Sequence, residues 1–291
     1  MIFFADVELP EGPVLLHDGS LAVTEMTAER GCVAIIDRDG KERRVVAKTG
    51  RPNGLAVDRD GVLFVAESRQ RALLRLTLDG EVSVVADSCA GRRFLWPNDL
   101  CFGPDGAIYL TDSGTLIDDF LVGGRAPADF SQVTLDGSVY RIDPVTGATS
   151  KIDGGILFTN GIAFGPDGHL YVGETATGNI YRYRTIDGTV QSSRETWANV
   201  LDPDYREPGL RGPDGMAFDE NGRLYVTVFG QGDVTILDGN GAVARRIALA
   251  GKAPTNVAFG PRGQRRIYVT ENEHGTIEAY DVDADGLALY A

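Results

Sequence analysis

Cysteine is scarce in this 291-residue chain, and its three copies, Cys32, Cys89 and Cys101, are unclustered and form no CxxC pair. That excludes a disulfide framework and a thiolate metal site, and it points to a reducing, cytoplasmic setting. Histidine is equally short, since His17, His169 and His274 are the whole supply and two of them fall in hairpin turns, which argues against a His-based zinc site. No run of about 18 apolar residues is present, so no membrane span is expected. The opening MIFFADVELPEG has no basic region and carries Asp6 and Glu8 early, against a signal peptide. Positive charge is also in deficit: 28 Lys and Arg face 42 Asp and Glu, a formal net charge of −14. Phosphate-backbone binding relies on basic patches, so a nucleic-acid partner is not expected. Also missing are any Pro/Ser linker, charge block or low-complexity run, so residues 1–291 are read as one domain.

What the chain does have is repetition. TNGIAFGPDGHLYVGET (159–175) has close relatives at 52–68, 97–113, 213–229 and 255–272, and a less regular one at 11–26. Each is an apolar run, a Gly/Asp/Pro turn and a second alternating run, the pattern of a β-hairpin. The polar residues that open the units are Glu11, Asn53, Asn98, Asn160, Asp214 and Asn256, spaced 42 to 62 residues apart. A four-stranded propeller blade takes roughly 40 to 50 residues, so the expectation is an all-β, six-bladed β-propeller of four-stranded antiparallel blades. Two intervals carry insertions. Residues 113–132, with Leu116, Ile117, Phe120 and Leu121, are too apolar for a solvated linker and are read as a flap over the channel mouth. Residues 199–211 hold polar groups suited to a ligand. Either Leu287–Tyr290 or Phe3–Leu9 serves to complete the last blade, and the sequence leaves that choice open.

Rotation about a propeller axis brings equivalent residues together, so Glu11, Asn98, Asn160 and Asp214 are expected to converge at one end of the channel. The second strands return to the same end, which places Glu25, Glu67, Asp112, Glu174 and Glu271 around them. So many acceptors without a neighbouring Lys or Arg call for something positive among them. Hard oxygen donors select hard cations. Glu11 and Asp214 balance a divalent charge, and the amide oxygens of Asn98 and Asn160 complete a flexible set suited to Ca²⁺. Asn before Gly also suits a strand-start turn, which accounts for Asn53 and Asn160 but not for Glu11. The run Asp281–Gly286 begins like a helix-loop-helix calcium loop, yet its twelfth position lies beyond the last residue, so it is read as a turn.

LPEGPV (9–14), PNDL (97–100), TNGIAF (159–164) and PDGMAFD (213–219), in this order on six repeats, resemble the SMP-30/gluconolactonase/regucalcin-like (LRE) family. The resemblance covers almost the whole chain. It implies a six-bladed propeller with one divalent cation in the channel, and hydrolysis of a sugar lactone or related cyclic ester. Residue by residue, it implies that Glu11, Asn160 and Asp214 hold the metal and that Asp214 also transfers the proton. Asn98 either completes the metal shell or holds the substrate. Sugar-acid binders of the family often carry Arg two places before that asparagine. Here Trp96 stands there, which suits a more apolar ring or one whose C–H face stacks on indole. Trp96, Asn98 and Asp112 are the expected substrate contacts. Ca²⁺ is the expected ion, with Zn²⁺, Mg²⁺, Mn²⁺ or Fe²⁺ as alternatives, and a monomer acting on a small lactone or ester is the expected form. No G-x-S-x-G is present, which weighs against an acyl-enzyme. A related branch hydrolyses phosphotriesters with the same Glu/Asn/Asn/Asp pattern, and a non-catalytic metal-binding propeller module is the alternative from another class.

Overall fold

A computed structural model describes residues 1–122, 126–186 and 189–290. Its six four-stranded antiparallel sheets are arranged in chain order as six propeller blades. The inner strands are Pro10–Leu15, Pro52–Val57, Pro97–Phe102, Thr159–Phe164, Gly212–Phe218 and Pro254–Phe259. Each pairs with a buried second strand, such as Leu21–Glu25 or Leu170–Glu174. The outer strands are exposed by comparison: Arg43–Lys48 and Val82–Ala86 turn charged, polar or partly apolar faces to water, as an edge strand requires.

Six hydrophobic clusters fill the six gaps between neighbouring blades. Leu55, Leu63 and Leu74 of blade two meet Ala22 and Val33 of blade one. Phe102 and Leu110 of blade three meet Phe64 and Leu73 of blade two. The last gap is closed the same way, with Tyr268 and Ile277 against Leu21 and Ile36. Burying one such side chain stabilises by roughly 1.5 to 3 kcal/mol, so the ring is held by packing between blades as well as by ladders within them.

The ring is joined by the N-terminus. Ile2–Ala5 pairs antiparallel with Thr276–Asp281 and completes blade six. The C-terminal segment forms no outer strand. Gly286 bridges to Asp219, Leu287 N donates to Phe218 O at 2.9 Å, and Tyr290 packs edge-on against Phe164, so the segment crosses the bottom of the channel.

Each inner strand carries a register irregularity at its opener, between Glu11 and Val14 in blade one, Pro97 and Leu100 in blade three, and Pro213 and Met216 in blade five. A bulge bends the strand and re-aims a side chain. Next to the openers stand Gly12, Gly54, Gly161 and Gly215, and crowding explains two of them. A Cβ on Gly54 would lie 2.4 Å from Asp99 Oδ1, and one on Gly215 would lie 2.0 Å from the Asn256 side chain. Blade three has Asp99 at this place, and the space left by Gly54 admits its carboxylate.

Candidate active site

The dipeptides Glu67-Ser68, Asp112-Ser113 and Glu174-Thr175 end the second strands of blades two to four, and their two side chains do different work. The carboxylate latches the lead-in to its own blade. Asp112 accepts from the backbone N–H of Leu95, Trp96 and Gly114 at 2.7, 3.1 and 2.9 Å. Glu174 accepts from Leu157 N at 2.7 Å, Glu271 from Ala253 N at 3.1 Å, and Glu67 from Arg51 N and Gln70 N. Glu25 accepts from Glu8 N at 2.9 Å and is flanked by Arg30 and Arg43. The compensating positive charge expected for these five residues is therefore backbone dipole, with two arginines in blade one, and no ion is needed for them. Both oxygens of Asp112 are engaged by the frame, at a residue where the sequence reading expected a substrate contact. Burial raises its pKa, opposed by those three N–H groups.

In blades three and four the hydroxyl sets an opener's amide, whereas Ser68 Oγ donates to Arg51 O. Ser113 Oγ donates to Thr159 O at 3.1 Å and accepts from Asn98 Nδ2 at 2.9 Å. Thr175 Oγ1 donates to Pro213 O at 2.8 Å and accepts from Asn160 Nδ2 at 3.1 Å. Because each hydroxyl proton goes to a carbonyl, the amide must present its NH₂ to the hydroxyl, which leaves the carbonyl oxygen on the other side. Asn160 Oδ1 is buried there without a hydrogen-bond partner.

The carboxylates complete the arrangement. Glu11 is 3% exposed, and its pKa is raised well above the usual value by burial, then by the charges of Asp214 and Asp99. Asp214 is raised by burial and by Asp99, opposed by the Asn160 amide. Asn256 Nδ2 lies 3.3 Å from Glu11 Oε2 and 3.4 Å from Asp99 Oδ2. Burial pushes Asp99 up to about 7, against hydrogen bonds from Leu100 N, Asn256 and Ile162 N. Asp99 and Asn256 were not singled out as site residues from the sequence. The one signal was PND at 97–99, where four other units have a glycine after the opener. Below them the channel continues as an apolar cavity of about 370 Å³, lined by residues such as Leu100, Phe102, Met216 and Phe259 and closed by Leu287 and Tyr290.

Glu11, Asp214 and Asp99 thus share one desolvated region with an orphaned amide oxygen, while no Lys or Arg ion pair reaches Glu11, Asp99 or Asp214 among the described residues. Two carboxylates plus carboxamide oxygens make a hard-donor set that fits a divalent cation such as Ca²⁺. Among the described residues, the acidic and histidine side chains whose ligand atoms already lie within 4.8 Å of one another are Glu271, Glu273 and His274 on the rim. Two of these are exposed, and Glu271 is committed to its latch.

The insertion within blade three, between its second and third strands, packs against Trp96 and Phe158, the residues two places before Asn98 and Asn160. Ile117–Phe120 is a single helical turn whose Phe120 lies 5.5 Å from Trp96 and 5.1 Å from Phe158, with Phe130 and Val133 beside them. Residues 123–125 of the expected flap lie outside the described residues. The second insertion contributes Leu210 to this cluster, and its polar groups tie it to blade five, with Tyr205 Oη donating to Gly230 O at 2.8 Å. Trp96 is buried, with Arg51 over its ring at 5.4 Å.

A six-bladed propeller with a carboxylate and carboxamide cage at one channel mouth is the architectural class to which the chain conforms. The family model for the SMP-30/Gluconolactonase/LRE-like region matches residues 9–273, and the chain belongs to that family. It is 30% identical over 281 residues to a gluconolactonase of Zymomonas mobilis, across 90% of this chain and 76% of the relative. It is 28% identical to the diisopropyl-fluorophosphatase of Loligo vulgaris, across 98% of this chain and 92% of that protein. A solved Xanthomonas campestris gluconolactonase is 27% identical, with a TM-score of 0.78 across 98% of this chain and 89% of that one. No helix among the described residues is long and apolar enough to cross a membrane.

Proposed function

We propose that the protein is a divalent-metal-dependent lactonase whose ion is held by Glu11, Asn98, Asn160 and Asp214, Ca²⁺ being the expected metal. The observation that carries this reading is the buried, unpartnered Asn160 Oδ1 in one desolvated region with Glu11 and Asp214. When bound, the ion supplies Lewis-acid polarisation of an ester carbonyl. The chain's own residues do the remainder. Ser113 and Thr175 hold the Asn98 and Asn160 amides so that their oxygens need no reorganisation to meet a cation. Asp214 accepts the proton of the attacking water at its carboxylate, which the buried neighbours keep basic enough for the task. Trp96, Phe120 and Phe158 exclude bulk water from the mouth, and the indole offers a face for the C–H side of a lactone ring.

Phosphotriester hydrolysis on the same residues is the second reading, favoured by the end-to-end similarity to the squid phosphatase. Steady-state turnover of a lactone panel and a phosphotriester panel, each with Ca²⁺ and after chelation, tests both. Chelator-sensitive lactone hydrolysis supports the proposal. Calcium binding without turnover of either panel refutes it in favour of a non-catalytic module.

A further inference from the structure

The residues two places before the inner-strand openers are Leu9, Arg51, Trp96, Phe158, Gly212 and Pro254, and Arg51 is the one cation in the set. Trp96 and Phe158 meet at 5.4 Å under the flap. Arg51 crosses from blade two to lie over that indole. A guanidinium carries five N–H donors, yet its one side-chain acceptor among the described residues is Ser68 Oγ, 3.4 Å from Nη1 and at the limit of a useful bond. Among the described residues no carboxylate forms an ion pair with it. Glu67, whose charge it feels, has its oxygens on the backbone N–H groups of Arg51 and Gln70. Other half-buried arginines are paired, as Arg30 and Arg43 are with Glu25 and Arg194 is with Asp153. Burial lowers the Arg51 pKa to about 10, the mark of a cation short of counter-charge. Beside it, Trp96 is 5% exposed and its Nε1 is buried with no acceptor.

A half-buried guanidinium with no protein counter-charge keeps donors available to an incoming anion, and the buried indole N–H beside it has no acceptor of its own. A neutral lactone gives such an arginine nothing to do. An anionic one needs it, because the acidic cage and the net charge of −14 both repel a negative substrate. We propose that Arg51, with the indole N–H of Trp96 beside it, receives a carboxylate carried by the substrate away from its reacting carbonyl, so that the preferred lactones are those of aldaric acids. This rests on the lactonase reading for its turnover and on Arg51 alone for its charge preference. The planar fork of Arg matches a carboxylate with two parallel bonds, which Lys does not reproduce.

The test compares galactaro-1,4-lactone with galactono-1,4-lactone, which share a ring and differ by carboxylate against hydroxymethyl, on the Ca²⁺-loaded protein. Wild type is expected to prefer the carboxylated lactone by at least about 10-fold in kcat/KM. Arg51→Gln should abolish that preference through KM while leaving the neutral lactone within about 3-fold, and Arg51→Lys should keep part of it. Trp96→Phe, which keeps a ring and removes the N–H, gives a second reading should Arg51→Gln fail to fold. Equal turnover of the two lactones by wild type, or a preference unchanged in the variants, overturns the proposal. Calorimetric titration with galactarate and with galactitol, its uncharged counterpart, separates the two claims. If neither lactone is hydrolysed, yet galactarate binds wild type more tightly and Arg51→Gln loses the difference, the lactonase reading falls and the anion receptor stands. No difference in binding removes both.

Discussion

Asn160 donates its Nδ2 to Thr175 Oγ1 at 3.1 Å, and Thr175 in turn donates to the carbonyl of Pro213, the residue before Asp214. One hydroxyl therefore orients one candidate ligand and ties it to the backbone beside another. Thr175→Val keeps the shape and removes the acceptor, freeing the amide to turn. We expect Ca²⁺ affinity to fall about 10- to 100-fold, with the melting temperature of the chelated protein little changed. Calorimetric titration checks it, and unaltered affinity would remove Thr175 from the site.

On the proposed reading, replacing Asp214 takes away both a ligand and the proton acceptor. For Asp214→Ala, lactone turnover should drop by at least about 100-fold with the circular dichroism spectrum retained. Near-normal kcat would refute the assignment.

The buried acids set a pH signature. In the chelated protein Glu11, Asp214 and Asp99 have folded pKa values above their unfolded ones, Asp99 at about 7. The folded state then binds more protons than the unfolded state above about pH 4, so these groups lose stability as pH rises from there toward 7. Thermal melts in chelator should fall across that window, and the rise in Tm on adding Ca²⁺ should grow with pH. A chelated protein whose melting point climbs steadily from pH 5 to 7 would contradict the shared burial of these carboxylates.

Asp112 makes a different prediction because its three N–H contacts belong to the frame. Asp112→Ala should cost about 2 to 4 kcal/mol in urea unfolding, since donors to a carboxylate are left unsatisfied. Lost activity should return on cooling or with stabilising osmolyte. A folded variant of full stability but altered KM would instead return Asp112 to the substrate.

The flap rests on an aromatic contact. Phe120→Ala removes the ring that covers Trp96 and Phe158. KM is expected to rise several-fold with global stability lowered by less than about 2 kcal/mol, because this cluster lies outside the six between-blade cores. Unchanged KM would leave the insertion as decoration.

The blade count and the openers were legible in the sequence because a hairpin repeat records them directly. Glu11, Asp214 and Asn160 stand at equivalent strand starts, and the structure gathers Glu11 and Asp214 with Asn160. Asp99 was missed because it hides behind a unit that otherwise reads Asn-Gly, and its meaning depends on the space beside Gly54, which no single unit reveals. The second-strand carboxylates were read as part of an electrostatic problem since a sequence shows acids and not the N–H groups that meet them. Arg51 was likewise invisible, because its contact with Trp96 spans two blades and 45 residues of chain.

Strand Ile2–Ala5 joins the two ends of the polypeptide, and the same seam passes through the candidate cage: Thr255 Oγ1 donates to Pro10 O at 2.7 Å and Asn256 Nδ2 reaches Glu11. Fraying from the amino end would carry Glu11 away from its partners while the remaining five blades stay stacked. Inactivation on heating should accordingly run ahead of bulk melting, and an occupied cage would act as a clasp that keeps the first blade docked to the last.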